Sequence, residues 1–289
     1  MKNNQIVKLA AGAAIGVTLV CASATNAEQV YGVTLNQTLV TWDSATPSNV
    51  TFGAAINGLA ANEELRGIDF RPATGQLYAL GSFNNLYTVN TTTGVASLVG
   101  AGGFSPGLNG SSFGFDFNPT IDRIRVVSET NQNLVLNPND GTSTQVTSLF
   151  YGAGDPNFGA DPNVVGSAYT NSFAGAMSTQ LYGIDTGLDI LVTQANSAGT
   201  LATVGSLGAD LGDILTFDIS GGTGVAYAAV LDEASSQSTF WTINLMTGAA
   251  SPLGAIGGGA IITSMAVVPS PASSALLMVG GICASRRRR

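Results

Sequence analysis

Nearly all the side chains able to do chemistry in this chain are carboxylates. Between Glu28 and Pro271 there is no Cys, His or Lys. That excludes a Ser-His-Asp or Cys-His nucleophile pair, a Schiff-base lysine, a thiolate or imidazole metal site and a disulfide. All 18 acidic residues fall in this body, against only Arg66, Arg71, Arg123 and Arg125. Four arginines against eighteen carboxylates leave the body near −14, more acidic than the −8 of the whole chain. Such a field repels nucleic acid and anionic lipid, and suits divalent cations and cationic surfaces.

Two patterns of oxygen donors follow. The long segment Tyr151-Gly-Ala-Gly-Asp-Pro-Asn-Phe-Gly-Ala-Asp-Pro-Asn163 sets Asp155, Asn157, Asp161 and Asn163 among glycines that free backbone carbonyls, a donor set for Ca²⁺. No strict calcium-loop spacing is present, and the same residues also fit two Asp-Pro-Asn turns whose side chains cap their own backbone. Acidic pairs occur at Asp185/Asp189, Asp210/Asp213 and Asp232/Glu233. A glycosidase needs two such groups about 5 to 10 Å apart across a cleft, a spacing that exists only in the fold. The four arginines lie close in sequence to Asp69, Asp116 and Asp122, which predicts Arg–carboxylate pairs between neighbouring structural units. Trp42 and Trp241, the two tryptophans, are expected in the core.

What must position these groups is all β. Short Val/Ile/Leu/Thr/Tyr runs alternate with Thr-Gly, Asp-Gly and Ala-Gly turns, and helical periodicity is missing. The runs repeat: Ile68-Asp69-Phe70, Phe115-Asp116-Phe117, Ser167-Ala168-Tyr169, Phe217-Asp218-Ile219 and Met265-Ala266-Val267 recur about every fifty residues. Second and third strands follow each, then a turn at Gly94, Gly141, Gly199 or Gly248 and a fourth strand. Val30 to Val33 begins the chain as a second strand, and Ile261 to Val267 ends it as a first strand without partners. The expectation is a five-bladed β-propeller, closed when the C-terminal strand joins the N-terminal blade and leaves no sheet edge open.

Gly67-Ile-Asp-Phe-Arg-Pro72, Phe113-Gly-Phe-Asp-Phe-Asn-Pro119, Asp122-Arg-Ile-Arg-Val-Val127, Ala168-Tyr-Thr-Asn171 and Leu181-Tyr-Gly-Ile-Asp185 occur in this order. In these motifs the chain resembles an uncharacterised family of secreted bacterial propeller-like domains, a domain of unknown function. The resemblance covers nearly the whole body; it implies the propeller and carries no established activity.

The ends read as addresses. Lys2 and Lys8 precede the apolar Leu9 to Val20 and then small residues, a signal peptide over 1–27 with cleavage after Ala24 or Ala27. After the propeller domain, 28–268, the segment 269–289 carries Pro269-Ser270-Pro271, an uncharged run from Ala272 to Ser285, and Arg286, Arg287, Arg288 and Arg289. This resembles a PEP-CTERM sorting tail with serine where glutamate is usual. The resemblance implies an exosortase-like processing enzyme as partner, a short transmembrane helix as the only membrane contact, and display at or release from a Gram-negative cell surface. The family context of such tails implies association with exopolysaccharide or biofilm. The functional expectation is a binding or scaffold protein for extracellular polysaccharide or a surface protein, without a cofactor or with Ca²⁺ alone. The alternative is a carbohydrate-active hydrolase or lyase using paired carboxylates in the propeller axis.

Overall fold

A computed structural model describes residues 27–268; the segment read as a signal peptide, apart from Ala27, and the proline motif, apolar run and arginines read as a sorting tail lie outside the described residues. The first blade begins with β1 (Gln29–Thr34), β2 (Thr38–Asp43) and β3 (Thr46–Ala55). The second is β4 (Leu65–Phe70), β5 (Leu77–Gly81), β6 (Leu86–Val89) and β7 (Ala96–Leu98). The third is β8 (Phe113–Asn118), β9 (Arg123–Ser128), β10 (Asn133–Leu136) and β11 (Ser143–Gln145). A two-residue strand, β12 (Phe150–Tyr151), precedes the fourth blade, β13 (Val164–Tyr169), β14 (Leu181–Asp185), β15 (Ile190–Gln194) and β16 (Thr200–Ser206). The fifth is β17 (Leu215–Ile219), β18 (Ala226–Asp232), β19 (Gln237–Ile243) and β20 (Ala250–Ala255). The last strand, β21 (Ile262–Val267), pairs with β1 at Val30↔Val267 and Gly32↔Met265, giving the sheet order β21-β1-β2-β3. The five-bladed ring closed by its two chain ends is the architecture expected from the repeats.

Each blade is an antiparallel meander because its strands are short, β-branched or aromatic, and separated by tight turns. The four glycines between third and fourth strands all sit at positive φ (Gly94 71°, Gly141 72°, Gly199 69°, Gly248 85°), where a Cβ is penalised. The sequence reading did not include β12. It adds to the fourth blade in parallel, Phe150↔Thr200, and starts the long segment that leads into β13.

No blade buries both faces alone, so the core lies between blades, in five apolar clusters. Val33 and Ala266 meet Ile68 and Leu77; Tyr78 and Leu80 meet Phe117 and Ile124; Val127 meets Tyr151 and Val192. Val165 and Ile184 meet Phe217 and Ala228, and Val30 and Trp42 meet Tyr227 and Phe240, completing the circle. Trp42 sits edge-on to Phe240 at 5.5 Å, a favourable quadrupole geometry. Beyond the paired strands, Val268 N–H donates to Gln29 O at 2.9 Å. No helix among the described residues is long and apolar enough to cross a membrane.

Candidate functional site

The innermost strands β4, β8, β13, β17 and β21 each end their sheets, so one edge of every blade faces the ring axis with no strand beside it. Buried N–H groups on that edge need acceptors. The residue that follows the repeated Asp/Ala position supplies one such N–H per blade: Phe70, Phe117, Tyr169, Ile219 and Val267. Three aspartates accept all five bonds. Phe117 N donates to Asp69 Oδ2 at 2.8 Å and Tyr169 N to Asp116 Oδ1 at 3.0 Å. Val267 N donates to Asp218 Oδ2 at 2.6 Å. Each of these bonds ties one blade to the next. Where the preceding blade carries Ala266 or Ala168 instead, the N–H turns to the aspartate of its own strand: Phe70 to Asp69 Oδ1 at 2.7 Å, Ile219 to Asp218 Oδ1 at 2.6 Å. Three carboxylates therefore meet five donors with six oxygens.

The aspartates are 2%, 1% and 3% exposed, and one oxygen from each lies within 4.8 Å of the others. Among the described residues this is the group of acidic side chains close enough to share a metal ion. Burial first, and then the charge of Asp218, pushes Asp69 well above the usual carboxylate range. Burial, then Asp69 and Asp218, does the same to Asp116. Burial raises Asp218 to about 6 against the N–H bonds from Val267 and Ile219, which favour its anion. A side-chain hydrogen bond between the two favours the protonated form of Asp116 and the anion of Asp218; Asp116 Oδ2 is the sixth oxygen, the one without a backbone donor.

Above this sealed layer, at the face where the inner strands begin, a cavity of about 230 Å³ is walled by Gln37, Leu65, Phe113, Leu215 and Thr263 from four blades. Asp213, Ile214 and Leu231 are shared with a polar groove of about 660 Å³ over the fifth blade. Asp210, Asp213, Asp232, Glu233 and Trp241 line that groove. Two of the three acidic pairs in the sequence are therefore brought together on one open wall. The third is not: Asp185 is fully buried and accepts from Tyr151 OH at 2.5 Å and from the Gly187 and Leu188 N–H groups. Asp189, raised by burial and then by Asp210 and Asp185, is not part of the groove wall. In the groove, Asp232 is held below the usual range by the Ser235 hydroxyl and the Ala234 N–H. Trp241 packs one face on the core and donates from Nε1 to Thr239 Oγ1 at 2.8 Å.

The loop from 152 to 163 reaches the same face. Asp155 accepts from Thr203 N at 2.6 Å, Thr203 Oγ1 at 2.9 Å and Asn157 N at 2.8 Å. These bonds outweigh burial and lower its pKa. Asp161 accepts from Asn131 Nδ2, Asn157 donates to Thr203 Oγ1, and Asn163 donates to Thr186 Oγ1 and Asp213 Oδ1. The four loop residues thus each engage donors or acceptors of other segments or of their own turns.

The arginines follow the sequence expectation in part. Arg71 forms a bidentate pair with Asp122 of the next blade and also donates to Tyr78 and Asn139. Arg66 pairs locally with Glu64, Arg125 donates to Asn133, Tyr169 and Ser197, and Arg123 donates to the Asp122 carbonyl. Asp69 and Asp116, expected beside arginines, are instead at the axis. The sequence reading missed this cluster although its signal was there: an acidic residue at the same place in three of five repeats, flanked by apolar residues, has to converge on the axis.

Residues 38–266 match the family described as a domain of unknown function (DUF4394). The chain belongs to this family. No curated protein matches it. Among solved structures, this DUF4394 propeller is similar to a structural genomics protein of unknown function from Bacteroides thetaiotaomicron VPI-5482. That match has a TM-score of 0.50 at 14% identity, covering 77% of this chain and 55% of the other. TolB from Acinetobacter baumannii matches at TM-score 0.44 and 11% identity, covering 84% of this chain and 67% of that one. The chain thus spans about half the length of the Bacteroides protein, and the likeness concerns the fold alone.

Proposed function

We propose that this DUF4394 protein is an exported binding component of the cell exterior that holds a neutral or amino-bearing polysaccharide in the groove over its fifth blade. One observation carries the reading: the carboxylates with raised proton affinity at the axis are sealed and bonded to backbone, while the open groove pairs four carboxylates with the exposed part of Trp241. A glycosidase of the two-carboxylate type needs an accessible acid that keeps its proton, and the axial acids have no such access. Hydroxyl-rich chains suit carboxylate acceptors beside an indole, and the body charge disfavours acidic glycans. Export through the 1–27 segment and processing at the Pro269–Arg289 tail by an exosortase-like enzyme belong to the same proposal and rest on the sequence.

Affinity electrophoresis of the secreted body through gels carrying dextran, chitosan or alginate tests the binding. Retardation by dextran or chitosan, weakened by Trp241→Ala, is expected. Equal mobility in every gel removes the binding reading, and release of reducing sugar, abolished by a single carboxylate substitution, replaces it with the hydrolase. For the tail, replacing Arg286 to Arg289 by serine should block trimming at the surface; unchanged trimming overturns the sorting reading.

A further inference from the structure

The cavity at the mouth of the axis and the groove over the fifth blade adjoin one another and differ in character. Leu35, Leu65, Phe113, Ile214, Leu215 and Ile261 give the cavity an apolar lining, whereas Asp210, Asp213, Asp232 and Glu233 make the groove acidic. The two share Asp213, Ile214 and Leu231, so one molecule can occupy both. Leu35 is 57% and Ile214 48% exposed, and aliphatic side chains left open to water around a cavity favour an apolar occupant. The rim is already fixed. Leu35 N donates to Ile261 O at 2.9 Å and Leu231 N to Ile214 O at 3.0 Å.

At about 230 Å³ the cavity is smaller than the roughly 300–1,000 Å³ of sites that bury a drug-sized molecule. It fits a substituent of a ligand that continues into the groove. Two polar side chains of its wall are half used. Gln37 Oε1 accepts from Leu65 N at 2.9 Å, while its Nε2 donates to no group among the described residues. Asp213 accepts from Asn163 Nδ2 and Thr186 Oγ1, both at Oδ1, and its Oδ2 has no hydrogen bond among the described residues. The third, Arg66, is engaged by Glu64 at 3.1 Å. One spare donor and one spare acceptor beside an apolar lining match an amide that carries a methyl group. An ester would offer Asp213 no donor, and a carboxylate would meet it as a like charge.

We propose that this cavity receives the N-acetyl group of an amino sugar whose chain lies in the groove, which makes the ligand a polysaccharide of N-acetylated hexosamine. Gln37 Nε2 donates to the acetyl carbonyl, Asp213 accepts from the amide N–H, and the methyl group meets the aliphatic lining. The inference rests on the groove reading and adds its specificity. Leu35 and Gln37 line the cavity and not the groove, so they select the substituent without holding the chain.

Isothermal titration tests it on the secreted body, residues 28–268, whose ring is closed by its own first and last strands. The ligands are linear hexamers of glucose and of N-acetylglucosamine with the same linkage; both are neutral, so the acidic field acts on them alike. The N-acetyl hexamer should bind about tenfold more tightly, from one buried methyl group and its hydrogen bonds. Leu35→Ser, and Gln37→Glu, which keeps an acceptor for Leu65 N–H, should each cut that preference by about threefold or more. Unchanged affinity for the glucose hexamer then reports an intact fold and groove, whereas Trp241→Ala should weaken both hexamers. Equal affinity of the wild type for the two hexamers overturns the inference and leaves the groove reading standing. So does a preference that survives both cavity variants. Binding of neither hexamer also overturns it, and the gel experiment then decides the groove reading separately.

Discussion

The 152–163 loop and the ring axis carry the same kind of side chain and use it in opposite ways. In the loop, Asp155 is partly open to solvent and surrounded by more donors than charge, so its anion is stabilised and its pKa falls. At the axis, three aspartates are buried together, so desolvation makes each resist ionisation, reinforced by neighbouring carboxylates, despite the backbone N–H groups that favour their anions. Depth of burial set against local N–H and O–H donors, more than the density of acidic residues along the chain, decides which cluster ionises readily.

The largest expected effect comes from removing a whole piece of the axis. A chain ending at Gly259 lacks β21, and with it Val267 N–H and the strand beside β1; it should lose cooperative unfolding in calorimetry. A sharp transition near that of the parent would break the account of ring closure. Next comes Asp218→Ala, which leaves the buried N–H groups of Ile219 and Val267 without acceptors. At roughly 1–3 kcal/mol for each orphaned donor, chemical denaturation should register a loss of about 2–6 kcal/mol.

The pH response separates the two regions by sign. The axial acids bind protons more tightly folded than unfolded. The stability they give is present at low pH and is lost as pH rises; for Asp218 it is complete below about pH 4 and lost as pH rises through about 6. For Asp218 alone, a rise from 3.8 to about 6 corresponds to roughly 3 kcal/mol. Asp155 acts the other way: its contribution is present above the usual carboxylate range and fades as pH falls through it. Denaturation midpoints from pH 4 to pH 8 should therefore decline, and a flat or rising profile would contradict the buried-acid description. The smallest effect is that of Asp155→Ala, about 1 kcal/mol, because Thr203 and Asn157 near the surface can turn to water. A loss as large as that of Asp218→Ala would erase the contrast.

Much of the ring was legible in the sequence. The fifty-residue period, the glycine turns and the unpaired first and last strands give blade number and closure, because the inner-strand motif recurs five times, the glycine turn four times, and the two terminal strands each lack a partner that the other supplies. β12 was not legible, since two residues carry no periodicity of their own. At the site, Asp69, Asp116 and Asp218 were visible as repeat positions, yet nearby arginines in sequence drew Asp69 and Asp116 toward an ion-pair reading. Sequence neighbours lie along a strand, whereas the partners of an inner-strand residue lie across the axis about fifty residues away. Trp241 divides its surface between core and groove, a distinction that a strand position cannot express.

The closing hydrogen bond of the ring, Val268 N–H to Gln29 O, also sets a direction. The chain enters β1 and leaves β21 at the same end, whereas Leu35, Ile261 and the groove mouth lie at the other end of those strands. Six residues of strand put roughly 20 Å between them. Anything joined beyond Val268 is thus attached to the underside of the disc. A tether there would hold the ring like a dish on a stalk, with its acidic, indole-bearing face turned outward and the first and last residues of the ring beneath it.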